Sequence, residues 1–105
     1  MRKLKFKIEG QVLKKDPDCD FSMIVRGSRG YLQCSFSFDE NWNGCTKVVH
    51  FYTDDGKSTF IKLVGDTCMV PDDVLDNAVI SLNAIGIDST KDYKITSTME
   101  DIKQI

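Results

Sequence analysis

Apolar and polar residues alternate with a period of two along most of the chain. Leu4, Phe6, Ile8 and Val12 fall on one side, with Lys3, Lys5, Lys7, Glu9 and Gln11 on the other. This pattern predicts one long half-buried strand over residues 3–14. Asp16-Pro17-Asp18 breaks it; Phe21, Met23 and Val25 alternate again, and Arg26-Gly27-Ser28-Arg29-Gly30 turns the chain. The clearest alternation sets Leu32, Cys34, Phe36 and Phe38 against Tyr31, Gln33, Ser35 and Ser37, and residues 39–44 then predict a loop. A strand over 46–53 leads into Asp54-Asp55-Gly56-Lys57, a hairpin signal because Asp-Gly tolerates positive φ. Residues 58–64 return, Gly65-Asp66 turns, and 67–70 form a short strand ending at Pro71. Residues 78–86 and 93–104 predict the last two strands. Only Pro71-Asp72-Asp73-Val74-Leu75-Asp76 has helical character, with proline at a first turn and carboxylates beside the positive end. It is long enough for a short helical turn near residues 71–76.

Short strands separated by turns, with no long helix, indicate a β-sandwich or barrel. The expected architecture is a single all-β domain spanning residues 1–105, an Ig-like antiparallel sandwich of about seven to nine short strands. A chain of 105 residues suits one such domain and is too short for two independent cores.

Composition narrows function mainly by exclusion. With 41% hydrophobic residues and balanced charge, the chain does not read as disordered, and no apolar run approaches the ~20 residues of a membrane span. Charge is unevenly placed. Residues 1–15 hold six basic side chains against one acid, whereas the rest hold eight against fifteen. Lys3, Lys5 and Lys7 alternate with apolar residues and so line one strand face, where lysines also guard an edge against stray pairing. Without interleaved aromatics or an overall basic balance, nucleic acid is not the expected partner. No 7–15-residue apolar stretch follows the basic start, so no secretory signal is expected.

Candidate chemistry is sparse. Cys19, Cys34, Cys45 and Cys68 lack C-x2-C spacing, and His50 is the only histidine, so no metal site is expected and the thiols read as reduced. Cys45 and His50, five residues apart on a strand, would sit about 17 Å apart on opposite faces, too far for a nucleophile and its base. Asp16, Asp18 and Asp20 resemble the start of a calcium loop. Phe21 and Gly27, however, occupy the places that need glycine and glutamate. Asp54/Asp55 and Asp72/Asp73 are neighbours pointing apart, suited to turns rather than acid–base work. The Arg26–Gly30 segment lacks the Walker spacing and a following helix, so it reads as a hairpin loop whose Arg26 and Arg29 can meet a protein partner. Trp42 reads as a cap on the open end of the sandwich; a sugar platform would also need tyrosines on the same exposed patch. Neither an enzyme nor a cofactor is expected.

The run Cys34-Ser35-Phe36-Ser37-Phe38-Asp39-Glu40-Asn41-Trp42-Asn43-Gly44, followed by Lys47 and Phe51, resembles an "F-x-F-D-x-x-W-x-G … K … F" signature. That signature belongs to small Ig-like β-sandwich domains of tailed phages and prophages of Gram-positive bacteria, such as the N-terminal domains of upper baseplate proteins. Asp66-Thr67-Cys68-Met69-Val70-Pro71-Asp72-Asp73-Val74-Leu75 and Ile80-Ser81-Leu82-Asn83-Ala84-Ile85-Gly86 resemble the same family's later "T-C-x-[IV]-P-x-x-V-L" and "I-x-V-x-x-x-G" segments. The resemblance covers about residues 32–86 and implies structural roles for Phe36, Phe38, Asp39, Trp42, Gly44, Phe51, Pro71 and Leu75, and no catalytic residue. It implies a non-catalytic, phage-encoded protein-interaction module in the virion or baseplate, with tail subunits as partners or as a homo-oligomer. The alternatives are a small inhibitor that blocks a host defence protein in the host cytoplasm, and a carbohydrate-binding module for host-surface recognition. Lys3, Lys5, Lys7, Arg26 and Arg29 are the candidate partner-binding residues.

Overall fold

The alternation resolves into nine strands in a computed structural model that describes residues 1–105. In chain order these are β1 (Arg2–Glu9), β2 (Val12–Lys15), β3 (Leu32–Phe38), β4 (Thr46–Tyr52), β5 (Ser58–Lys62), β6 (Thr67–Met69), β7 (Val79–Asp88), β8 (Tyr93–Thr96) and β9 (Glu100–Lys103). One sheet has the order β2-β1-β3-β6; the other runs β5-β4-β7-β8, with β9 also paired to β7. The result is the all-β sandwich expected from the pattern. Three 3-10 turns join the strands: Glu40–Trp42, the expected turn at Asp72–Val74, and Ser89–Lys91. No helix is long and apolar enough to cross a membrane.

One pairing departs from an antiparallel ladder. β1 and β3 run parallel, with Leu4↔Cys34, Phe6↔Phe36 and Ile8↔Phe38 side by side. Parallel neighbours need a long connection, here supplied by β2 and residues 16–31. The expected strand over 3–14 therefore folds back on itself. Gly10 and Gln11 form a two-residue hairpin turn, with Gly10 at φ 57° as the primed turns demand. Glu9 and Val12 face each other across the hairpin, so Val12 turns outward and Leu13 takes the buried position.

The alternation of Phe21, Met23 and Val25 makes no strand. Met23 adopts φ 55°, which reverses the chain's facing, so Ile24 is buried while Met23 and Val25 are exposed. This stretch is tied down by other means. The Arg2 guanidinium donates to the carbonyls of Met23 (3.1 Å), Asp20 (2.9 Å) and Ser22 (2.6 Å). Ile105 and residues 24–26 exchange backbone bonds of 2.8 and 3.0 Å, and Phe21 packs edge-on against Phe6 at 5.2 Å.

The expected last strand is also divided. Ile85 faces Thr96 while Leu82 faces Glu100, so Asn83 and Ala84 stand opposite three residues, Ser97, Thr98 and Met99. This is a β-bulge. Ser97 Oγ accepts from the Ala84 N–H at 2.8 Å and heals the ladder. The bulged Thr98 turns to the other sheet, donating its N–H to Gln11 O (2.7 Å) and accepting at its hydroxyl from Leu13 N (3.1 Å). Lys15 and Glu100 (3.7 Å) continue this seam between the sheets.

Between the sheets, Leu4, Phe6, Ile8, Cys34 and Phe36 meet Val49, Phe51, Ile80, Leu82, Ala84 and Ile102 in one buried cluster. Trp42 closes one end. Its indole is fully buried and donates to Gly10 O at 2.8 Å, with Phe38 5.1 Å away. Asp39 caps the 3-10 turn carrying it, accepting from Asn41 N (3.0 Å) and from Gly10 N (2.6 Å). Those bonds, Gly10 first, hold the Asp39 carboxyl below the usual aspartate range. Gly44 leaves the turn at φ 79°, Pro71 precedes the turn over Asp72–Val74, and Leu75 is buried just beyond it.

Candidate interaction edge

The five charged residues singled out by sequence fall in two places. Lys3, Lys5 and Lys7 project from the outer face of β1, beside Gln33, Ser35 and Ser37 of β3. Lys14 of β2 stands directly opposite Lys7, and none of these four lysines forms an ion pair. Lys7, Glu9, Lys14, Lys15 and Pro17 line a shallow depression of about 210 Å3. Arg26 and Arg29 sit in the 26–30 loop instead. Arg26 is fixed through its backbone N–H to Ile105 O, and the Arg29 guanidinium lies 3.5 Å from Asp72. Both partners of that pair are well exposed, so it contributes little.

The more distinctive surface lies on the other sheet. The hairpin between β4 and β5 places His50 opposite Phe60 and Tyr52 opposite Ser58. His50 stacks on Phe60 at 4.2 Å and 5°, and on Tyr52 at 4.8 Å and 29°. Its Nε2 lies 2.6 Å from the Ser58 hydroxyl, and the Tyr52 hydroxyl donates to Met99 Sδ at 3.5 Å. Phe60 nevertheless leaves 59% of its surface in water and Met99 50%. The serine–histidine contact has no carboxylate behind the other ring nitrogen, and neither residue lines any of the three surface depressions. That geometry suits an aromatic contact surface better than nucleophilic catalysis. The Trp42 indole, sealed in the core, has no face for a sugar ring.

The backbone of β5 supplies the second half of the site. Leu63 N donates to Lys47 O (2.9 Å) and Thr53 N to Lys57 O (3.0 Å), which sets the hydrogen-bonded rungs on alternate residues between them. Thr59 and Ile61 thus bond to β4 and turn their side chains inward, where Thr59 donates to Asp73. Ser58, Phe60 and Lys62 point their N–H and C=O groups outward, and no other strand pairs with them. An extended peptide can add to such a row, its main chain pairing while alternate side chains meet the exposed face.

Other edges are better protected. β2 meets the Thr98 bulge through Gln11 and Leu13. Thr67 of β6 exchanges backbone bonds with Val64 at 3.1 and 3.2 Å. On the β8–β9 side, Gln11 Nε2 donates to Thr96 O, Asp101 N bonds the Glu100 carboxylate, and lysines 94 and 103 flank them. Among the edge strands, β5 pairs an unbonded row of backbone groups with the most exposed aromatic, Phe60 at 59% against Tyr93 of β8 at 38%.

The sequence hid this site for a specific reason. Strand 46–53 and its return were legible, but Phe60 and His50 look unremarkable until the strands are set in register. The predicted turn over 54–57 would set position 50 against 61; only the three-residue loop closed by Thr53 N–H to Lys57 O brings His50 opposite Phe60. Against known protein families, curated proteins and solved structures, the chain has no match.

Proposed function

We propose that the chain is a non-catalytic, phage-encoded protein-interaction module, associated with the virion or baseplate, that captures an extended segment of a partner along β5. The observation that carries this reading is the open β5 edge beside Phe60, His50 and Tyr52. Main-chain bonds to Ser58, Phe60 and Lys62 supply affinity, and the aromatic face selects an apolar side chain at alternate positions. The phage setting rests on the family resemblance of residues 32–86. The lysine row on the opposite sheet is a second, polar surface that can guide an acidic partner without fixing its register.

The test is capture of tail proteins from a phage lysate by the tagged chain, compared with Phe60→Pro. That substitution removes one outward N–H and the aromatic ring, while the position donates nothing to β4. The expected result is recovery of tail subunits by the parent chain and at least a tenfold loss with the variant. Undiminished capture by Phe60→Pro overturns the β5 assignment. Recovery of a host defence complex in place of tail subunits overturns the virion role in favour of an inhibitor.

A further inference from the structure

Cys34 and Cys68 are far apart in sequence but directly opposite each other in the β3–β6 ladder. Leu32 O accepts from Val70 N and Phe36 N donates to Asp66 O, so the Cys34–Cys68 pair lies on a hydrogen-bonded rung of the same ladder. Opposed residues on such a rung have Cα atoms about 5.5 Å apart. This lies inside the roughly 4.4–6.8 Å that a disulfide spans. Their Cβ atoms, at about 5–5.5 Å, must approach by roughly 1 Å for the sulfurs to bond. β6 can make that approach. It is a three-residue strand on the outside of its sheet, with a single sheet neighbour.

We propose that Cys34 and Cys68 are an oxidisable dithiol that closes, in the folded protein, to a cross-strand disulfide between β3 and β6. The oxidant is a small-molecule disulfide such as oxidised glutathione. One protein thiol loses its proton and attacks a sulfur of the reagent, releasing one reagent thiolate and forming a mixed disulfide. The second protein thiol, deprotonated in turn, attacks the protein sulfur of that intermediate and releases the other thiolate. Two protein thiols thus lose two protons and two electrons, and the reagent is reduced to two thiols.

The surroundings predict slow formation and ready reversal. Both thiols are buried, and the neighbouring Cys68 thiol, then burial, hold the Cys34 pKa well above the usual range. Oxidation therefore waits on opening of β6. The closing movement strains the bridge, and strained disulfides are the more easily reduced. Cys19 and Cys45 have no such partner. Cys19 Sγ accepts from Lys5 N at 3.3 Å and lies 3.5 Å from Lys3 O, and Cys45 precedes β4 with no cysteine opposite.

The experiment incubates the native full chain with oxidised glutathione, quenches with acid, alkylates under denaturing conditions and maps non-reduced peptides by mass. The expected product joins the peptides carrying Cys34 and Cys68 with a loss of about 2 Da, and dithiothreitol reverses it. A Cys68→Ser chain should lose the linked species, while Cys19 and Cys45 give only reagent adducts. Full alkylation of Cys34 and Cys68 after prolonged oxidation overturns the proposal, as does linkage of either to Cys19 or Cys45. The peptide map of the unsubstituted chain decides the matter even if the serine variant does not fold.

Discussion

Gly86→Ala is the sharpest probe of how this sandwich is closed. Gly86 does not have a positive φ, so adding a methyl group strains no backbone torsion. A Cβ there would lie 2.7 Å from Trp42 Cε3, 2.9 Å from Cζ3 and 3.0 Å from Ile95 Cγ2. The indole cannot simply withdraw, because it is fully buried and its Nε1–H is held by Gly10 O. Overpacking of this kind costs about 1–3 kcal/mol. Replacing a strand glycine by alanine returns about 0.5–1 kcal/mol through the unfolded chain. The expected net loss is about 1–2 kcal/mol, or a fall in Tm of roughly 4–10 °C for a domain of this size. Urea unfolding followed by fluorescence of Trp42, the only tryptophan, reads both stability and the local environment. The expected signature is a lower midpoint at unchanged slope. Trp42→Phe, which removes the benzo ring facing position 86, should couple to Gly86→Ala by about 0.5–3 kcal/mol in a double-mutant cycle, with all four chains followed by circular dichroism because two of them lack the only tryptophan. A Gly86→Ala chain as stable as the parent, or additivity in the cycle, refutes the idea that indole and glycine are fitted to each other.

Three further outcomes follow from other parts of the molecule. Asp39 has a depressed folded-state pKa, first through Gly10 N–H, so its stabilisation is present above the ordinary carboxylate value near 3.8 and is lost as pH falls through the lowered folded value. Unfolding measured from pH 7 to 2 should therefore show the difference between parent and Asp39→Asn shrinking below about pH 4; a constant difference argues against it. Ser97→Ala removes the hydroxyl that accepts from the buried Ala84 N–H, and chemical denaturation should reveal a loss of about 1–3 kcal/mol; a neutral result means the bulge repairs itself. Lys14→Glu replaces a like-charge pair across from Lys7 with an opposite one, and should raise stability by about 0.2–1 kcal/mol at low salt and less at high salt.

The family-like residues are structural in their placement: Phe36 and Phe51 are in the core, Asp39 caps a turn and Trp42 seals an end. The same face-by-face logic separates a lysine-bearing sheet from an aromatic-bearing one, although alternation alone does not say which strands share a sheet. His50 shows the difference well. Its place on a strand was legible in the sequence, whereas its half-buried position, stacked between Phe60 and Tyr52, depends on two strands meeting in one register.

Local alternation determined which side chains turn inward wherever the strand runs without interruption, as in β3 and β4, because a pleated chain sends neighbours to opposite faces. It failed at Val12 and Leu13, where a two-residue turn made the facing depend on the partner strand, and at Met23, where a left-handed torsion reversed it. Tertiary structure alone decided which edges are covered. Gln11 and Leu13 reach residues 96 and 98, and Cys34 meets Cys68, only because distant segments must satisfy buried backbone groups together. The open edge of β5 is what that long-range pairing leaves over, and no local pattern of side chains encodes it.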